Sequence, residues 1–246
     1  AKYIFVSEDL YPETEIELKK AGKLLLIGSN PKCYKAVARH VDIQMTPVGK
    51  LLFYDAKVSC REAKDRCQED ICLDSLDLNT KKIDSVLGDR YPLSVPFNAK
   101  VTEEAFIHNL KHTQEEILEE AKRQQLTTLH VNQGYTGCSL LVLRDRKGIT
   151  GDPGIRDALI EVGYHILLIE KGKIELSGMD YGFIGGCCGV DGDKVYVNGD
   201  LSMHPDGRAM REFIEEASFE TVEVKGKPLA DIGGMIFMES GGDING

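Results

Sequence analysis

The sequence predicts a single-domain α/β protein in which one short unit of strands and a helix recurs and the chain closes on itself. Three observations predict it. Strand-like and helix-like segments alternate from end to end. Three stretches of the second half share one order: a strand, a Gly-rich approach to a second strand, a third strand ending in Gly-Asp, and a helix. The third of these, from TVEVK through DIGGMIFM, stops before its last strand and helix, and the opening YIFVSEDLYPETEIELKKAG can supply both. Repeats of about 45 residues mark radial or solenoid arrays. A ring that pairs its last strand with its first leaves no sheet edge exposed.

Taken in order, the apolar patterns predict a strand over 3–6, a helix over 13–21 and a strand over 23–27. Two apolar runs, 41–45 and 51–54, are parted by Pro47 and Gly49 and read as a strand hairpin. The stretch 57–90 is polar and charged, holds three cysteines, and reads as an insertion with some helix. Thr113, with Glu116 three residues on, has capping-box spacing for a helix whose apolar stripe is Ile117, Leu118 and Ala121. Strands are predicted over 127–131, 140–143, 165–169, 194–197, 221–224 and 235–238, and helices over 155–162 and 207–217.

Composition narrows the function classes. The chain is 42% apolar and 28% charged, which is ordinary for a globular protein. Thirty basic against 40 acidic side chains argue against non-specific nucleic-acid binding, which needs a basic surface. No apolar run approaches the roughly 20 residues of a membrane-spanning helix. The absence of a basic region followed by a long apolar stretch at the start, with an odd count of seven cysteines, predicts a reduced, cytoplasmic chain. There is no GxxxxGK phosphate loop, no GxGxxG opening a helix, no HExxH and no GxSxG, so neither a cofactor nor a metal is expected. Oligomeric state is left open.

The motifs HVDIQ (40–44), HNLKHT (108–113), QGYTGCS (133–139), DYGFIGGCCG (180–189), NGDLSMHPD (198–206) and DIGG (231–234) are together specific. With the repeated units, they resemble the five-bladed β/α-propeller of the guanidino-group-modifying enzymes, the penteins, and more closely an uncharacterised bacterial family of that fold. The resemblance implies one domain over 1–246 with an insertion at 57–90. The alternative fold is an open, doubly wound parallel sheet. Penteins cleave or transfer amidino groups: a cysteine near the C-terminus attacks the guanidinium carbon, a histidine with an acidic residue moves protons, and carboxylates clamp the cation. This chain departs from that pattern. GGMIF puts Phe237 where the thiol is expected, no cysteine follows Cys188, and GFIG puts Phe183 and Gly185 in the acid–base positions.

Other residues are candidates for the chemistry. Cys138, in GYTGCSL, is a nucleophile or a buried core thiol. His204, with Asp200 and Asp206 nearby, is an acid–base group or part of a helix cap, and His40 with Asp42 admits the same two readings. His108 and Lys111 belong to the approach to the capped helix. Cys187 and Cys188 are small residues at a tight strand start, a vicinal disulfide, or metal thiolates. Cys60, Cys67 and Cys72 lack CxxC spacing and read as packing residues. Asp152, Glu175, Asp180, Asp200 and Asp231 sit beside glycines at strand ends or turns, where Asp usually caps. In a ring such strand ends converge. Asp42, Asp152, Glu175, Asp180 and Asp200 are therefore the carboxylates expected to hold a small cationic molecule. Two functions follow: an enzyme on an arginine- or agmatine-like substrate with an altered site, or a non-catalytic member that binds a ligand or a protein partner, as a ribosome-associated initiation factor of this fold does.

Overall fold

Short strands dominate the computed structural model, which describes residues 2–63 and 70–241. β1 (Lys2–Ser7), α1 (Pro12–Ala21) and β2 (Lys23–Ile27) form a parallel crossover. Pro12 opens α1, Glu13 and Glu15 occupy its first turn and Lys19 and Lys20 its last, matching the helix dipole. A one-turn helix, α2 (Val41–Gln44), leads into the hairpin of β3 (Met45–Val48) and β4 (Leu51–Asp55). Gly49 takes the positive φ of 57° that this tight turn requires. β5 (Cys60–Glu62) adds antiparallel to β2, and β6 (Asn79–Ile83) adds parallel to β4.

The remaining units repeat this plan. β7 (Lys100–Val101), β8 (Ala105–His108), α3 (Glu115–Arg123) and β9 (Thr127–His130) make the next. Then come α4 (Thr136–Ser139), β10 (Leu140–Val142), β11 (Lys147–Thr150), α5 (Pro153–Ile160) and β12 (His165–Leu168). The last comprises α6 (Ile184–Cys187), β13 (Cys188–Asp191), β14 (Lys194–Val197), α7 (Gly207–Glu216) and β15 (Glu220–Val222). β16 (Met235–Glu239) returns to pair antiparallel with β1, from Lys2 opposite Glu239 to Val6 opposite Met235. The described residues thus form five small sheets, each an antiparallel pair followed by a parallel strand: β16-β1-β2 with β5 at its edge, β3-β4-β6, β7-β8-β9, β10-β11-β12 and β13-β14-β15. The chain's beginning completes the unit that its end leaves short.

Packing follows from amphipathic helices laid on these sheets. Met210, Phe213 and Ile214 of α7 bury against Val195 and Val197 of β14 and Leu141 of β10. Ile117 and Ala121 of α3 bury with Phe53, Phe97 and Phe106. Each large apolar side chain taken from water contributes about 1.5–3 kcal/mol. Among the described residues no helix is long and apolar enough to cross a membrane.

Four expectations are corrected. No continuous doubly wound sheet forms among the described residues, because each hairpin turns back into its own sheet. Residues 41–44 are helical rather than strand, held by the Asp42 N–H donating to Gly233 O at 3.1 Å and the Met45 N–H to Val41 O. The capping box at Thr113 does not form: its hydroxyl meets His108 Nδ1 at 2.8 Å and donates to Asn109 O, and Gln114 precedes the helix. Within 57–90 the described residues hold only a short 3-10 helix, Leu73–Ser75, and two strands, of which β6 takes the third place in the β3-β4-β6 sheet, while residues 64–69 lie outside the described residues.

Candidate functional site

Five turns precede the first strands of the five sheets, and they touch in a closed circuit. Asn98 Nδ2 donates to Asp42 O at 3.1 Å, joining the approach to β7 to α2. The Gly137 and Cys138 N–H groups of α4 donate to Asn98 O at 2.9 Å and Asn98 Oδ1 at 3.2 Å. Gly185 of α6 packs so tightly on α4 that a Cβ there would stand 2.5 Å from Gly137 O and 2.6 Å from Cys138 O. The Ile232 and Gly234 N–H groups, before β16, donate to Gly186 O at 2.9 and 2.8 Å. The Asp42 bond to Gly233 closes the circuit. Glycine is required here because backbones approach where side chains would collide.

At this circuit the chain gathers His40, Asp42, Asn98, Cys138 and Asp231. The Cys138 thiol donates to Asp42 Oδ2 at 2.9 Å, and Asn98 Nδ2 donates to Cys138 Sγ at 3.3 Å. Cys33, Val37, Ile43 and Leu87 pack around the cysteine, leaving it 2% exposed. Burial, reinforced by Asp42 and Asp231, pushes its thiol well above the ordinary range. Asp231 accepts from the Phe183 N–H at 2.9 Å and the Gly233 N–H at 3.0 Å. His40 Nδ1 lies 3.7 Å from Asp231 Oδ1, beyond hydrogen-bond reach. Burial raises Asp42 to about 6, although His40 opposes the shift.

This cluster carries a local polar deficit. Of the six buried side-chain N and O atoms without a partner among the described residues, four are His40 Nδ1, Asp42 Oδ1, Gln44 Oε1 and Ser139 Oγ. They fall on α2, α4 and the residue before α2. Native interiors rarely leave such atoms unpaired, so their concentration here makes this cluster the candidate site.

A cavity of about 840 Å³ adjoins the cluster. Pro47 of β3, Lys100 of β7, Leu141 of β10, Gly189 of β13 and Phe237 of β16 line it, one from the first strand of every sheet. Asp42 and Cys188 also face it. Burial pulls the Lys100 ammonium below its ordinary value against the pull of Asp42, Cys138 and Cys188. Lys100 makes no ion pair among the described residues.

Of the residues singled out in the sequence, the structure brings His40, Asp42, Cys138 and Asp231 together, and the Asp42–Cys138 bond spans 96 positions. Asp152, Asp200 and His204 serve local geometry. Asp152 caps α5, accepting from the Ile155 N–H at 3.0 Å, and takes Gln133 Nε2 at 2.9 Å. Asp200 accepts from the Ser202 N–H and hydroxyl at 2.9 and 2.6 Å and from the Gly226 N–H at 2.8 Å. Burial would raise Asp200, but these donors outweigh it and hold the carboxyl at about 2. His204 Nδ1 accepts from the Asp206 N–H at 3.0 Å, so its Nε2–H donates to Glu170 O at 3.1 Å. Both ring nitrogens are thereby used, and the ring is not a partner of Cys138. Glu175 and Asp180 are exposed. None of Asp152, Glu175, Asp180 and Asp200 lines the cavity. The carboxylates expected to converge there are therefore dispersed, because strand-end position alone does not direct a side chain inward.

Cys187 and Cys188 are buried free thiols, not a disulfide. Burial raises both, Cys188 to about 12. Cys60 and Cys72 are also free, and Cys67 lies outside the described residues. Asn98 and Lys100 were missed by sequence reasoning. Their signal was positional: PFNAK runs into the first strand of its unit, ending on that strand's first residue, as GYTGCS leads into that of another.

Residues 5–236 match a family described as a family of unknown function (DUF6873), and the chain belongs to that family. No curated protein matches it.

Proposed function

We propose that the five sheets are blades of a pentein-like β/α-propeller, and that the protein binds a small arginine-like molecule in the axial cavity without attacking it through Cys138. The closed circuit of turns, the pairing of β16 with β1, and a cavity lined by the first strand of every sheet support that arrangement. The observation that carries the binding reading is Asp42: it faces the cavity with Oδ1 buried and unpartnered. A guanidinium or amidinium supplies the missing donor to a carboxylate. Lys100 lines the same cavity and favours a ligand that also bears a carboxylate.

Binding is preferred to covalent catalysis on electrostatic grounds. A reactive thiolate needs positive surroundings. Cys138 instead donates its proton to a carboxylate and is surrounded by Asp42 and Asp231. Thermal unfolding with arginine, agmatine and spermidine tests the reading. A ligand at a hundredfold excess over Kd stabilises by about 2.7 kcal/mol, or roughly 5–10 °C for a chain of this size. Arginine should give the largest shift. Asp42→Asn should abolish it, and Lys100→Met should reduce it to that of agmatine. No shift with any of the three, or an undiminished one in Asp42→Asn, overturns the proposal.

A further inference from the structure

We infer that His40, Asp42 and Cys138 form a site for one divalent zinc-class cation, which excludes the arginine-like ligand because both need Asp42. One potential ligand atom from each of the three residues lies within 4.8 Å of the others. Imidazole nitrogen, carboxylate oxygen and thiolate sulfur are the ligand types zinc takes, and three protein ligands with an open fourth position form a familiar zinc arrangement. A tetrahedral zinc ion with bonds of about 2.0–2.3 Å holds its ligand atoms roughly 3.3–3.8 Å apart, so a rearrangement of about 1 Å completes the set.

Two further observations point to a cation. His40 is 3% exposed and its Nδ1 has no partner, while Asp42 Oδ1 is buried and equally unpaired. Asp42 and Asp231 are the acidic groups in electrostatic contact with Cys138, and Lys100 is the basic group beside Asp42 and Cys138. The step is an exchange: the Cys138 S–H bond breaks, the proton passes to solvent, and the sulfur electron pair binds the metal.

The inference shares Asp42 with the proposed arginine-like ligand but does not depend on it, since metal binding is measured with no organic molecule present. The probes are Zn²⁺ by calorimetry and Co²⁺ by absorption, on tag-free full-length protein. The expected result is one equivalent bound, release of a proton, and a near-ultraviolet thiolate-to-cobalt charge-transfer band. Cys138→Ser should abolish the band, and His40→Gln should weaken binding at least tenfold. Lys100→Met should leave the band in place while impairing arginine binding, which separates the two sites' failures. If Cys138→Ser does not fold, Cys187→Ser and His40→Gln decide: the band must survive the first and weaken with the second. No band in the wild-type protein, or a band indifferent to His40→Gln and lost in Cys187→Ser, overturns the inference.

Discussion

Two regions of this molecule hold nearly the same side chains and use them in opposite ways. The turn 200–206 holds Asp200, Ser202 and the buried His204; the cluster at α2 and α4 holds Asp42, Cys138 and the buried His40. In the turn, Asp200 receives three donors and both nitrogens of His204 are bonded to backbone. In the cluster, Asp42 Oδ1 and His40 Nδ1 have no partner. The first is a closed hydrogen-bond account that stops the chain before α7. The second is an open one, facing a cavity. Residue type does not separate the two regions; unmet bonding does.

The comparison can be broken first at its glycines. Gly185 of the cluster and Gly207 beside the turn both lie against backbone carbonyls, where a Cβ would stand 2.5 Å from Gly137 O and 1.8 Å from Leu201 O. Alanine at either should cost about 3 kcal/mol in urea unfolding. A tolerant Gly185→Ala would mean that α4 and α6 do not meet as described. Next in size are the aspartates. Asp200→Ala should cost about 2 kcal/mol, because its donors lose a buried acceptor. Asp42→Asn should leave stability unchanged or raise it by about 1 kcal/mol, because it removes a buried charge with an unmet oxygen. Equal losses at the two positions would erase the distinction.

A satisfied histidine sharpens the contrast further. His108 is buried, contacts Thr113 Oγ1 at 2.8 Å and Gly134 O at 2.9 Å, and burial lowers it to about 4 despite the Gly134 carbonyl. The unfolded chain takes up a proton near 6.5 and the native one only near 4. Between these values the unfolded state binds more protons, so the contribution is full above 6.5 and is lost as pH falls to about 4. His108→Gln should flatten the pH dependence of stability in that window, removing a slope of up to about 1.4 kcal/mol per pH unit. The smallest effect is expected at the cavity rim. Arg146 pairs with Glu104 at 2.9 Å, but both side chains are more than half exposed. Arg146→Ala should change stability by less than about 0.5 kcal/mol.

Much of the fold was legible in the chain. Alternating apolar runs located most strands, and the truncated last repeat pointed to the pairing of β16 with β1. The one-turn helices α2, α4 and α6 were not legible. Four residues show no helical period, and in α2 the turn is held by Gly233, which lies far along the chain. The candidate site was half legible. Asp42 and Cys138 stood out by type, while Asn98 and Lys100 did not, because an amide before a strand and a lysine at its first position carry no signal until something is placed beside them.

By itself, then, the sequence determined the order of elements, the repeated unit and its return to the start, since these follow from local periodicity and short connections. Which polar residues act together was decided only in three dimensions. Asp42 and Cys138 are 96 positions apart, and their bond exists because five turns from five sheets converge and glycine lets their backbones touch. Convergence also left Asp42 Oδ1 unpaired while Asp200 was fully bonded, a difference that depends on neighbours distant in the chain and therefore on no local pattern.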